Sequence, residues 1–277
     1  MPRAPLVSVI MTCFNTAPWL DAAIESVLRQ SWSKLELIVV NDGSTDQCAE
    51  QVNTFAGIDR RVRPYHLARN SGTYPAKNIG MSISHGEVIT FMDSDDVILP
   101  DRIEMQLDLL RSGNLVATTC NYSRVTQQGD PVLLGDGAWE RQALISLMIK
   151  RRVIAEVGWF DPVRTSADDE LFERIRHVYG RDSHRNVPIA LYRALQREGS
   201  LSQGRGAPVI LSAPSPEETL SAPRRAYVEA YRRWYAHLER QGRRPYMPFN
   251  FHGIRPFPVP AELALPSRWI VAAAGVD

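Results

Sequence analysis

Three short polar runs carry the chemistry that this sequence can do. The densest is Asp93-Ser94-Asp95-Asp96, three carboxylates within four positions. Carboxylates packed this closely repel one another, and a divalent cation relieves the repulsion. Oxygen donors in this number suit Mg²⁺ or Mn²⁺, which complete their shells with water and phosphate. The same residue types also cap turns and helices, so both readings stand on spacing alone. Asp168-Asp169-Glu170 is a second acidic run. It reads either as charge favouring a helix N-terminus or as a general base whose pKa is lifted by like-charged neighbours. Asp42, within Asn41-Asp42-Gly43-Ser44, can accept from a base or ribose donor, or close an Asx-turn before a helix.

The elements that must position these runs follow from periodicity. Residues 6–11 (LVSVIM) and 35–40 (LELIVV) are β-branched runs of the kind found in strands buried on both faces. Strands are also predicted over 62–67 and 87–92, with helices over about 18–28, from Thr45 or Asp46 onward, over 76–84, and after Pro100 with Ile103, Leu107 and Leu110 on one face. Four strand-then-helix units imply a doubly wound α/β fold, a mostly parallel sheet with helices on both faces. Ligands bind such sheets beyond the carboxyl ends of the strands. Residues 12–15, 41–46 and 93–96 all lie at such ends.

From about Leu115 the pattern loosens, and short strands and loops are expected, followed by helix, turn and helix over 153–180. From about Gly204 the composition shifts towards Pro, Ser and Arg. Tyr227, Tyr231, Trp234 and Leu238 then form a helical stripe, and residues 224–244 hold seven Arg against two Glu. One face of that helix is expected to pack and the other to be solvated, with contact to an anionic membrane or a partner as the second reading. These shifts divide the chain into an α/β domain over 1–203 and a helical, Pro-rich extension over 204–277, packed on the core.

The 277 residues, 44% hydrophobic and 23% charged, have the composition of a globular protein. Thirty-two basic against 31 acidic side chains argue against a nucleic-acid partner. Three cysteines without a CxxC argue against a disulfide scaffold and a thiolate zinc site. The apolar run near Met1 is too short for a signal peptide, and no spanning segment is evident, so the expected location is the cytoplasm, with peripheral attachment at the inner membrane face through the Arg-rich helix as the second reading. The turn after the first strand, Thr12-Cys13-Phe14-Asn15-Thr16, has no glycine and cannot be a dinucleotide fingerprint. None of the lysines, Lys34, Lys77 and Lys150, follows a glycine as a Walker loop requires.

VSVIMTCFNTAPWLDAAIESVLRQSWSKLELIVVNDGSTD resembles the opening of family 2 glycosyltransferases of the GT-A fold. The likeness continues through NSGTYPAKNIGMSISHGEVITFMDSDDVILPDRIEMQ and, more loosely, through VGWFDPVRTSADDELFERI to about Ser202. The resemblance implies an inverting transferase that moves a sugar from a nucleotide-sugar, usually a UDP-sugar, to a saccharide or glycoconjugate hydroxyl, in polysaccharide, capsule or glycoconjugate synthesis. It implies that Thr12 and Phe14 hold the base, that Asn15 belongs to the same nucleotide site, that Asp42 reads the uracil N3–H, and that Lys77, also of the nucleotide site, stands where an Arg is common. Asp93, Ser94 and Asp95 match the DxD, with Asp95 as metal ligand and Asp93 near ribose and metal. Asp168 matches the catalytic base, but Ala167 replaces a Glu beside it, which leaves Asp169 as the other candidate. A histidine that the family often carries has no counterpart in Gln196-Arg197-Glu198-Gly199-Ser200.

Two rival readings stand beside this one. FMDSDDVI also fits the DxDx(T/V) of haloacid-dehalogenase-type phosphohydrolases, with Asp93 as nucleophile and Asp95 as acid, although the motif lies on the fourth strand and only Lys150 follows it. Ala167 and the missing histidine would suit a sugar-nucleotide-binding protein impaired in catalysis.

Overall fold

The computed structural model describes residues 4–134, 137–196, 220–249 and 255–265. Strand and helix alternate from the start: β1 (Val7–Cys13), α1 (Ala17–Leu28), β2 (Leu35–Asn41), α2 (Cys48–Ile58), β3 (Val62–His66), α3 (Thr73–Ser82) and β4 (Val88–Asp93). The four strands are parallel, in the spatial order β3-β2-β1-β4. Every residue of β1 and β2 is buried, which is why both read as continuous apolar runs. Their side chains alternate between two cores. Val7, Val9 and Met11 pack with Leu20, Ile24 and Val52 of α1 and α2. Ile10, Ile38 and Val40 face the opposite layer with Tyr74 and Ala76 of α3. Gly80 lets α3 lie close on β1, since a Cβ there would run into the Ile10 side chain.

The remainder comprises β5 (Val97–Ile98), α4 (Arg102–Arg111), β6 (Ala117–Val125), β7 (Pro131–Val132), β8 (Glu140–Lys150), α5 (Arg152–Val157), α6 (Ala167–Tyr179), β9 (His184–Leu195) and α7 (Ala222–Arg240). β8 runs antiparallel to both β4 and β6, and β6 runs parallel to β9. The sheet is therefore parallel in its first half and mixed in its second. Strands of 9, 11 and 12 residues stand where short strands and loops are expected from sequence. The reason is that they change environment along their length: β8 is exposed over residues 140–142 and buried over 146–149, so no single period runs through it. The helix–turn–helix expected over 153–180 is present as α5 and α6.

α7 buries Tyr227, Tyr231, Tyr235 and Leu238, and the three tyrosines pack on the α3 and α6 side of the sheet, within the same core as Ile10 and Phe91. Arg225, Arg232, Arg233 and Arg240 are exposed, so the packed-and-solvated reading of this helix describes the described residues. The Pro- and Ser-rich stretch before it, residues 204–219, lies outside them. No helix among the described residues is long and apolar enough to cross a membrane.

Candidate active site

The loops at the carboxyl ends of β1 and β2 are tied to each other through Asn15, which adopts a left-handed backbone (φ 53°) that asparagine tolerates. Its backbone N–H donates to Ser44 Oγ at 3.1 Å, and its Oδ1 accepts from the Thr45 N–H at 2.9 Å. Phe14, beside it, is 44% exposed, an aromatic ring left open to solvent at a strand end. Thr12 turns to the α3 layer, with its hydroxyl 3.1 Å from that of Thr73. Asp42 is buried rather than presented. Its Oδ1 accepts from the Ser71 N–H and hydroxyl, both at 2.7 Å, and its Oδ2 from the Gly72 N–H at 2.9 Å. Burial pushes its carboxyl up to about 6, against the pull of these three donors. These bonds make Asp42 a clamp on the loop that leads into α3.

The acidic run at the end of β4 divides. Asp96 turns inward, accepting from Tyr192 OH and from the Leu195 N–H, each at 2.8 Å. Burial first, and then the charges of Asp95 and Asp93, hold its carboxyl well above the usual range. The expected cluster of three carboxylates is therefore a pair, Asp93 and Asp95, both half-buried, with a sequestered third. Ser94 is buried, and its hydroxyl lies 2.8 Å from Thr16 Oγ1, which joins this turn to the start of α1. No group of three or more metal-ligating side chains occurs among the described residues. Two carboxylates nonetheless suit Mg²⁺ or Mn²⁺, which are commonly bound by one or two carboxylates together with substrate phosphate and water.

α3 connects these clusters to the second acidic run. Tyr74, Lys77 and Asn78 stand three and four positions apart, on one helix face. Lys77 is buried, and its Nζ donates to Asp93 Oδ1 at 3.1 Å. The Tyr74 hydroxyl donates to Asp168 Oδ1 at 2.7 Å. Asn78 donates to the Phe160 carbonyl and accepts from the Phe160 N–H, gripping the turn between α5 and α6.

α6 opens at Ser166, a second left-handed non-glycine residue (φ 71°). Its first turn carries Asp168, Asp169 and Glu170, whose surroundings differ sharply. Glu170 is fully buried, paired with Arg174 at 3.0 Å and accepting from Tyr235 OH at 2.7 Å. Burial pushes it up to about 7. Asp169 is half-buried and is also pushed up to about 7, chiefly by desolvation and then by the Asp168 charge. Asp168, half-buried, meets Tyr74. The structure thus joins Asp93 and Asp168 through α3, and it reveals Tyr74 and Tyr192, which sequence reasoning overlooks. The i, i+3 spacing of Tyr74 and Lys77 is the available signal for the first; nothing local announces the second. Arg197 to Ser200, where a histidine is missing, lie outside the described residues.

Residues 8–172, more than half of the chain, match the family described as Glycosyl transferase family 2. A glycosyltransferase of Haemophilus influenzae, itself uncharacterized, is 39% identical over 130 residues, which are 47% of this chain and 52% of that protein. The chain thus spans about half the length of this relative. Among solved structures, Staphylococcus aureus TarS 1-349 in complex with UDP-GlcNAc superposes with a TM-score of 0.59 at 19% identity, over 77% of this chain and 63% of that one. A mannosyltransferase of Pyrobaculum calidifontis in complex with GDP-Man and Mn²⁺ gives 0.52 at 18% identity, over 70% and 57%. These two likenesses are likenesses of fold.

Proposed function

Since the chain belongs to glycosyl transferase family 2, we propose that it moves a sugar from a UDP-sugar to a hydroxyl of a saccharide or glycoconjugate acceptor by a single inverting displacement, in bacterial polysaccharide or glycoconjugate assembly. The observation that carries this reading is that one buried helix face bonds Asp93 through Lys77 and Asp168 through Tyr74. A displacement needs one group set against the leaving diphosphate and another against the acceptor hydroxyl, at a fixed separation. Two carboxylates tied to a single turn of α3 meet that need.

Asp93 and Asp95 would hold Mn²⁺ or Mg²⁺, which when bound neutralises charge on the leaving diphosphate. Lys77 adds a fixed positive charge beside Asp93. Phe14 offers a ring face to the base, and Thr12, Asn15 and Ser94 shape the loops around it. Asp42 has three of about four lone-pair sites engaged; it serves the base through the remaining one, or through the Ser71–Gly72 loop that it clamps. Asp168 takes the proton of the attacking hydroxyl. The phosphohydrolase reading is disfavoured because Lys150 pairs with Val88, at the far end of β4 and about 16 Å along the strand from Asp93.

A thermal-shift series with UDP, GDP and CMP, each with and without Mn²⁺, tests the donor side, because a ligand raises the melting temperature in line with its affinity. UDP with Mn²⁺ is expected to stabilise the wild type most, and Asp95→Ala to lose the Mn²⁺-dependent part. A preference for GDP would change the base assignment alone. Asp168→Asn tests the acceptor side: donor binding stays, and turnover falls by roughly 10²-fold or more. Wild-type turnover in that variant would remove Asp168 as the base. Donor binding without Mn²⁺-dependent turnover in the wild type would favour the impaired binding protein.

A further inference from the structure

We infer that Tyr192 is a positioning residue for the cation site at the end of β4. Its hydroxyl bridges the Asp93–Asp96 turn, so that Asp93 and Asp95, without Asp96, are the carboxylates held for Mn²⁺ or Mg²⁺. The inference rests on reading that pair as the metal ligands, and it adds what holds them in place.

Three carboxylates in four positions allow more than one pair of ligands, and the bonds from β9 choose between them. The turn closes only loosely by its own backbone, with the Asp96 N–H reaching the Asp93 carbonyl at 3.4 Å. Tyr192 closes it a second time. A hydroxyl has one proton and two lone pairs, and this one uses both kinds. It accepts from the Asp93 N–H at 3.1 Å and donates to Asp96 Oδ2 at 2.8 Å. The other oxygen of Asp96 accepts from the Leu195 N–H at 2.8 Å, on the same strand. Asp96 is buried, with both of its oxygens engaged by β9, while Asp93 and Asp95 stay half-buried. One side chain thus fixes the backbone beneath Asp93 and draws Asp96 away.

The ring that carries this hydroxyl is itself held from both strands of the turn. Tyr192 is fully buried. Its backbone pairs with Ile98, and Arg193 with Val97, so β9 is bonded to β5, the strand that leaves the turn. The Arg102 guanidinium lies 5.4 Å from the ring centroid, within the range of a cation–π contact. Arg102 is buried as well, and it donates to Thr90 Oγ1 at 2.7 Å and to the Phe91 carbonyl at 3.1 Å, both on β4, the strand that enters the turn. A group that orients a metal ligand in this way commonly contributes tenfold or more to metal affinity, although it never touches the ion.

Calorimetric titration of UDP into the whole chain, with and without Mn²⁺, tests this without acceptor or turnover. The ratio of the two affinities is the gain that the cation brings. Tyr192→Phe keeps the ring over Arg102 and removes the hydroxyl. Its Mn²⁺ gain should shrink by about tenfold, while UDP binding without Mn²⁺ stays within about twofold of wild type, because only the cation site has lost its support. In an Asp95→Ala background, where the gain is already gone, Tyr192→Phe should change nothing further. Asp96→Asn, whose amide can still bond Tyr192 and the Leu195 N–H, should keep the wild-type gain. A full gain in Tyr192→Phe overturns the inference, and so does an equal fall in both affinities, which would make the tyrosine a packing contact alone. Loss of the gain in Asp96→Asn overturns it too, by making Asp96 a ligand, and this holds even if Tyr192→Phe does not fold. A full gain in Asp95→Ala would remove the metal reading of the pair itself, and the inference with it.

Discussion

On the side of β1, β2 and β4, neutral hydrogen bonds tie neighbouring loops: Thr16 to Ser94, Asn15 to Ser44 and Thr45, Thr12 to Thr73. On the side of α6 and α7, buried charge does the holding. Glu170 pairs with Arg174, Asp161 with Arg255, and tyrosine hydroxyls of α7 reach both acids. A neutral hydrogen bond contributes about 1 kcal/mol net, so the strand-end loops tolerate the loss of one tie. Breaking a buried ion pair costs about 3–5 kcal/mol, because the abandoned charge stays in the interior. The α6 and α7 side is therefore the more sensitive to loss of a single partner, and its contacts join residues distant in sequence.

The strongest way to break this contrast is at Arg174, which also donates to the Val157 and Trp159 carbonyls at 2.8 and 2.7 Å. Arg174→Ala leaves Glu170 and both carbonyls without it. Urea denaturation should show a loss of about 3–5 kcal/mol. A loss below about 1 kcal/mol would show that buried charge does not hold the α6 side.

Asp42, like Asp96, is a buried carboxylate on the strand-end side, and pH exposes it. Its carboxyl sits near 6 in the fold and near 3.8 when free. Between those values the folded protein keeps a proton that the unfolded chain has released, so stability falls as pH rises through the window and is level above it. At about 1.4 kcal/mol per unit the change is at most about 3 kcal/mol. Asp42→Asn cannot titrate. The stability of the wild type relative to this variant should drop as pH is raised from 4 to 7. A flat difference would mean that the Ser71 and Gly72 donors offset the burial completely.

The contrast also explains what was legible in the sequence. The strand-end loops are short-range structures whose residue types must recur at fixed spacing, so residues 12–15, 41–46 and 93–96 could be placed before any coordinates. Asp96 could not be separated from Asp93 and Asp95, because its partners Tyr192 and Leu195 lie on β9, 96 and 99 positions away. Tyr74 and Asp168 are 94 positions apart, Tyr235 and Glu170 65. The stripe of Tyr227, Tyr231 and Leu238 announced a packed helix, but not the acids that its hydroxyls would meet. The long mixed strands are illegible in the sequence for the same reason, since β8 takes its burial from neighbours and not from its own period.

A finer division runs through α7 itself. Tyr227 donates to the buried Asp161 at 2.9 Å, while Arg255 pairs with the other oxygen of that carboxylate. Tyr227→Phe keeps the ring and removes one bond to a charged group, so about 1.5–3 kcal/mol should be lost in urea denaturation, towards the lower end because Arg255 stays. A loss under about 0.5 kcal/mol would mean that the apolar stripe alone docks the helix.

The smallest effect belongs to the most conspicuous feature of the composition. Arg233 stands 3.7 Å from Glu229, with both side chains about three-quarters exposed (76% and 70%), one turn apart on the solvated face of α7. At this exposure water and salt screen the attraction, and ordering two long side chains offsets what is left. Arg233→Ala also places a strong helix former at an exposed position, a gain of a few tenths of a kcal/mol that opposes the lost pair. The net change should fall within about 0.5 kcal/mol of zero, and it should be no larger at low salt than that bound allows. A loss of about 1 kcal/mol or more, vanishing as salt is added, would show the arginine face stabilising the helix electrostatically. The division between a tyrosine face that docks and an arginine face that is merely solvated would then have to be redrawn.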